Sequence, residues 1–314
     1  MSPNVAASVR DRLLARARAE GEEFERTLVR FASERLLYRL GVSGARSRCL
    51  LKGACLLSVW LPDPYRATRD VDLLATGVAD DESVRQLIAE ICAVPCAEDG
   101  LRFDSSQMRV GPIRAEDEYA GKRARFAAYL GRARIHLQVD VGIGDAVGPT
   151  PEEVELPVLL EGMPTPRLRA YPREATIAEK FEAMVVLDTR NSRMKDFHDI
   201  WALASVFAFD GTSLQEAITR CFERRGTTWT GEVPGVLSTE FYEKPEIEAR
   251  WKGYLSAGGV IVSPSAAFEE IGWQIARFLG PVRRSILEGR AFDLHWPAGG
   301  PWQPKRPQRL ADDT

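Results

Sequence analysis

At 314 residues the chain has room for one large domain or two ordinary ones, and it can bury a real core. A hydrophobic share of 45% beside 28% charged residues is that of a globular protein in water, and a net charge of −3 excludes a global pull toward nucleic acid, so any polyanion site has to be a local patch. No apolar run approaches a membrane span, the N-terminus lacks the apolar core of a signal peptide, and five irregularly spaced cysteines read as reduced thiols, which makes the cytoplasm the expected compartment and a membrane partner unexpected.

From Ala6 to Leu40 apolar residues recur three and four apart, predicting two helices broken at Gly21 and ended by Gly41 and Gly44. "CLLKG" reads as a short buried strand, and "ACLLSVWL" as a helix stopped by Pro62 and Pro64. "DVDLLATG" follows as a strand, then "DDESVRQLIAEICAV" as a helix with acids in its first turn, as the macrodipole favours. Residues 101–134 predict strands and loops with an excess of basic groups. "ARIHLQVDVGIG" is the clearest period-two segment: Ile135, Leu137, Val139, Val141 and Ile143 face one way, His136, Gln138 and Asp140 the other. A Pro-rich connection over 148–173, with a short strand near "RLRAYP", leads to helices at "TIAEKFEAMVVLDT", "SRMKDFHDIWALASVF" and "SLQEAITRCFER". The expected division is a mixed α/β core over 1–173, a helical domain over 174–290, and a Pro- and Gly-rich tail over 291–314 expected to be disordered.

Asp70 and Asp72 fall on one face of their strand, since side chains two apart point the same way. Like charges that close repel, and aspartate does not favour a strand. With Asp140 on the polar face of a second strand, three carboxylates can converge, an arrangement a hard cation such as Mg²⁺ or Mn²⁺ would neutralise. The bland reading is solvated strand ends. Cys92 and Cys96, four apart with no second pair, and three histidines in all, do not make a zinc site.

Upstream, a strand that turns through Gly53 into a helix offers backbone N–H groups to a phosphate, with Lys52 adding charge; a tight turn that simply needs glycine reads the same way. Thr176 and Glu179 form a capping-box pattern that places Lys180 in a first helical turn. A cation there opposes the macrodipole by about 0.3 to 1 kcal/mol, a cost offset if the lysine reaches an anion such as a triphosphate. The alternatives are a surface lysine, or a helix that starts at Glu174. In "SRMKDFHDI", Asp196 and Asp199 share a face, with Arg193 and Lys195 in reach. His198 between them is tempting as a base, but a lone helical histidine is more often packing or surface, and it stays out of the site. Serine and cysteine have no His/Asp partners at a recognisable spacing, which leaves nucleophilic hydrolysis without support.

Taken in order, "LLKGACLLSVW", "RATRDVDLL", "HLQVDVGIG" and "ATIAEKFEAMVVLDTRNSRMKDFHDIWAL" resemble the AbiEii-like nucleotidyltransferase family, the toxin halves of AbiE and MenT-type toxin–antitoxin systems, over roughly residues 25 to 260. The resemblance implies a DNA polymerase β-like nucleotidyltransferase core with a small mixed sheet and a mainly helical C-terminal half. It implies Mg²⁺-dependent transfer of a nucleotide from an NTP to an acceptor, a tRNA 3′ end being favoured, and a cognate antitoxin protein. Carried over residue by residue, Asp70 and Asp72 are the metal-binding strand carboxylates, Asp140 the third carboxylate, Lys180 the triphosphate-binding lysine and Asp196 the acidic residue of the last motif. Gly53-Ala54 stands where the family often has Gly-Gly, and Ala54 brings no hydroxyl, so phosphate binding there would fall to the backbone. Arg66 and Arg69 are candidates for phosphate or acceptor contacts, or for structural partners of the aspartates. Phe126 and Tyr129, interleaved with the basic groups of 102–134, read either as an RNA-facing surface or as a solvated face. Two other classes remain: a catalytically inactive nucleotidyltransferase-fold binding protein, and a metal-dependent phosphohydrolase, for which histidine ligands are scarce.

Overall fold

A glycine sets the first helix boundary. Gly21, at φ +65, separates helix α1 (Pro3–Glu20) from α2 (Phe24–Val42). Gly41 does not end α2 as expected; it lies inside the helix, where a Cβ would collide with the backbone carbonyl of Arg167. A computed structural model describes residues 3–61, 70–113, 121–143, 151–256 and 267–305. Arg66 and Arg69 lie outside the described residues.

The chain divides into two units, Met1–Ala146 with Pro151–Tyr171, and Val147–Thr150 with Pro172–Thr314. In the first unit follow β1 (Cys49–Lys52), the short α3 (Ala54–Trp60), β2 (Asp70–Ala75), α4 (Asp81–Ala93), β3 (Leu101–Pro112), β4 (Lys122–Leu130), β5 (Ala133–Ile143), β6 (Glu152–Glu155) and β7 (Arg167–Ala170). The strands form one seven-stranded mixed sheet in the order β3-β4-β5-β2-β1-β7-β6. The pairs β2/β5 and β1/β7 are parallel, and the rest antiparallel.

The period-two pattern of β5 is realised: Ile135, Leu137, Val139 and Val141 are at most 3% exposed, each side chain contributing about 1.5 to 3 kcal/mol by its burial. Helix α4 carries a capping box between Asp80 and Ser83, followed by buried Val84, Leu87, Ile88 and Ile91. Helix α2 buries two cations beside carboxylates: Arg39 forks onto Asp99, and Arg35 pairs with Glu34 and donates to the Pro164 carbonyl, while its Nε and Nη1 make no hydrogen bond among the described residues. Burial pushes the Glu34 carboxyl above its ordinary range, with Arg35 opposing.

The second unit is built from α5 (Arg173–Leu187), α6 (Met194–Val206), α7 (Gly211–Arg225), α8 (Thr239–Tyr242), α9 (Pro245–Ser256) and α10 (Phe268–Leu287). Its core is an aromatic cluster in which Phe197 meets Phe241 and Phe268, and Trp251 meets Phe268. Three short strands, β8 (Phe209–Asp210), β9 (Leu294–Trp296) and β10 (Gln303–Pro304), make a small sheet in the order β10-β9-β8. The segment 291–305, expected to be disordered, is therefore structured, because its two tryptophans find buried partners: Trp296 is 1% exposed and donates to the Ala204 carbonyl, while Trp302 stacks on Phe278 and donates to its carbonyl. Among the described residues no helix is long and apolar enough to cross a membrane.

Candidate active site

Strand register builds the site. Asp72 on β2 is opposite Lys52 on β1 on one side and Asp140 on β5 on the other, and Asp140 is opposite Arg123 on β4. Residues paired in register project to one face, so four neighbouring strands carry the row Lys52, Asp72, Asp140, Arg123. The charges run plus, minus, minus, plus at spacings of about 5 Å. Two residues back lies a second row: Asp70 opposite Gln138, which is opposite Arg125, whose Nε donates to Gln138 Oε1 at 3.0 Å. The sequence supplied the carboxylates of this face; the register supplied their flanking cations.

Arg123 forks onto Asp140, Nε to Oδ1 and Nη2 to Oδ2, both at 2.7 Å. Those hydrogen bonds raise the guanidinium pKa above its ordinary value against the effect of burial, and the charges of Asp140, Asp70 and Asp72 add to the rise. Lys52 Nζ lies 4.7 Å from the centre of the Tyr171 ring, a cation–π contact that holds it beside the row. Gly53, at φ +68, caps the N-terminus of α3 and touches Asp72; a Cβ there would collide with the Asp72 carboxylate. The hard oxygens of Asp70 and Asp72, half-buried and with that space kept open by glycine, fit Mg²⁺ or Mn²⁺, ions that take one or two carboxylates and complete their shell with water and phosphate oxygens. Among the described residues no three Asp, Glu, His or Cys side chains form a group able to hold a metal ion, and Asp140, expected as the third ligand, turns both oxygens to Arg123.

In the second unit Lys180, Asp196 and Asp199 come together. Helix α5 begins at Arg173, three residues before the predicted capping box, because Pro172 serves as N-cap; Thr176 is buried inside the helix and its hydroxyl caps nothing. Lys180 therefore stands in mid-helix, and the macrodipole argument for it falls. Its Nζ is 3.1 Å from Asp196 Oδ1 and 2.6 Å from Asp199 Oδ2. Both aspartates are fully buried, Arg193 Nε adds a contact to Asp196 Oδ2 at 2.6 Å, and Lys180, 13% exposed, reaches solvent where the carboxylates do not. Asp196 is thus held between Lys180 and Arg193. His198 packs among Trp201, Trp251 and Tyr254, whose hydroxyl meets Nδ1 at 3.1 Å, so of packing and surface it is packing that holds.

Sequence reasoning missed Arg123 and Arg125. The signal was present, an R-x-R in a strand answering the D-x-D of another, but nothing local said which strands would be neighbours. Of the two aromatics in the RNA-facing reading, Phe126 is 5% exposed and drops out, while Tyr129 is half-buried with Arg102 on its ring at 4.3 Å.

Residues 35–272 match the family described as nucleotidyl transferase AbiEii toxin of a type IV toxin–antitoxin system. The chain belongs to this family of nucleotidyltransferase toxins. Among solved structures it is similar to a candidate nucleotidyltransferase from H. pylori, at 14% identity and a TM-score of 0.45 over 82% of this chain and 94% of that one. It is also similar to JHP933 from Helicobacter pylori, at 14% identity and a TM-score of 0.42 over 81% and 90% of the two chains. No curated protein matches the chain by sequence.

Proposed function

We propose that this nucleotidyltransferase transfers a nucleotide from an NTP to an acceptor hydroxyl, a tRNA 3′ end being the favoured acceptor, with a divalent ion held by Asp70 and Asp72. The observation that carries the reading is the pair of half-buried carboxylates on β2, Asp72 in the row flanked by Lys52 and Arg123 and Asp70 in the next row on the same face, a face that attracts a cation at its centre and phosphate at its margins. The bound ion would supply electrostatic stabilisation of the charge that builds on the phosphate oxygens. In this reading Lys52, beside Gly53, takes a terminal phosphate of the donor, and Arg69 is a further contact. Lys180 is the triphosphate lysine, its ammonium oriented by Asp196 and Asp199. The working compartment is the cytoplasm, and a cognate antitoxin protein restrains the activity. An inactive binding protein of the same fold is the alternative, and the complete set of carboxylates with Lys180 weighs against it.

The test is incubation of the purified chain with each α-labelled NTP, Mg²⁺ and total tRNA. One NTP should label tRNA, and Asp72→Asn should reduce labelling at least a thousandfold while retaining the parent's circular dichroism. Equal labelling by the Asp72→Asn protein would remove the site, and the absence of turnover with every NTP and acceptor would favour the binding protein.

A further inference from the structure

The metal–nucleotide reading uses Arg123 only as a flanking charge, yet this arginine engages the carboxylate most readily given to a second ion. Both oxygens of Asp140 are taken in a fork of two bonds at 2.7 Å. Parallel charge-assisted bonds of this kind are the strongest ion-pair geometry available to a carboxylate. The Asp140 side chain is 13% exposed and that of Arg123 24%, so the pair is largely shielded from screening by salt. A guanidinium cannot release its proton at any working pH, so it does not give way by titration. A metal ion at Asp140 would have to displace it and leave two cations competing for one carboxylate.

We infer that Arg123 is the resident cation of Asp140, so that the carboxylate row binds a single divalent ion, at Asp70 and Asp72, and Asp140 is a positioning residue for the guanidinium. The inference rests on the metal site proposed above. Arg123 then stands as a fixed positive charge on the opposite flank of the row from Lys52, and its Nη1 makes no hydrogen bond among the described residues. The consequence for the reaction is that Asp140, occupied by a permanent cation, neither holds a second ion nor accepts the acceptor's proton.

Mn²⁺ binding to the full chain without nucleotide, read from the free-ion signal in electron paramagnetic resonance, tests this apart from activity. The parent should bind one ion per chain, and Asp72→Asn should weaken binding more than tenfold. Arg123→Met frees the Asp140 carboxylate and should tighten Mn²⁺ at least fivefold or add a second ion. The double variant Arg123→Met/Asp140→Asn removes the pair without changing net charge, keeps the variant from leaving a shielded carboxylate alone, and should bind Mn²⁺ within threefold of the parent. A double variant weakened as much as Asp72→Asn would make Asp140 a metal ligand and overturn the inference, as would two ions on the parent. Mn²⁺ binding unaffected by Asp70→Asn and Asp72→Asn would instead overturn the metal site itself.

Discussion

Lys180 shows how one side chain's surroundings reverse an expected outcome. A lysine near a helix start would gain a few tenths of a kcal/mol on replacement by glutamine. In mid-helix, bonded to two fully buried aspartates, the same change strips a cation from carboxylates that have no access to water. Breaking a buried pair of this kind costs about 3 to 5 kcal/mol. Lys180→Gln should lower the urea midpoint accordingly, and adding Asp196→Asn and Asp199→Asn should restore most of it by removing the stranded charges. A midpoint unchanged in the single variant would place the ammonium in solvent. Cys49 offers a second test at this scale. Burial, with Glu90 adding and Arg48 opposing, pushes its thiol up to about 11 from an ordinary 9.0. Between those values the unfolded chain loses a proton that the folded one keeps, so this group's stabilising contribution is complete below pH 9.0 and is lost as pH rises toward 11. Thermal melts from pH 8 to pH 10.5 should show a decline that is smaller in Cys49→Ala.

The strand, glycine turn and helix formed by β1, Gly53 and α3 are the element against which the Asp72 carboxylate rests. At φ +68 and ψ −152 the Gly53 backbone occupies a region open almost exclusively to glycine, at a cost of about 1 to 3 kcal/mol for other residues. Gly53→Ala adds a collision with the Asp72 carboxylate to that strain. It should lower the thermal midpoint modestly and transfer at least tenfold, and a variant with parental activity would show that the Asp72 position is not critical. Elements of this kind were legible where the pattern was local: alternation wrote β5, and Asp80 with its first-turn acids wrote α4. β6 was not legible, since Glu152–Glu155 has one buried residue and owes its existence to pairing with β7. The start of α5 lies earlier than the T-x-x-E pattern implies, because that pattern signals a cap only when Thr176 stands at a helix end, and the helix already begins at Arg173.

For the whole molecule, the family match over residues 35–272 takes in parts of both units, and each unit by itself holds a charged cluster. The second unit depends on the segment beyond α10 for part of its core. Ending the chain at residue 290 would remove Trp296 and Trp302 with their hydrogen bonds to the carbonyls of Ala204 and Phe278. The loss of one buried aromatic of this size costs about 3 to 5 kcal/mol. The shortened chain should expose the second unit to limited proteolysis and melt well below the full chain; equal melting would mean that the two tryptophans contribute no stability.

Composition, the alternation of β5, the D-x-D of β2 and the order of the four motifs were set by the sequence alone, because each depends on spacings within a few residues, and they carried the α/β class and the nucleotidyltransferase family. The partners of the charges were decided only by the tertiary structure. Asp72 meets Asp140 across sixty-eight residues of chain, Arg123 reaches Asp140 through the register of β4 on β5, and Lys180 meets Asp196 and Asp199 only where α5 packs on α6. A charge's role follows from what lies within a few ångströms of it, and burial, by removing water from Asp196 and Asp199, turned two surface-like residues of a helix start into the groups that hold a cation in place.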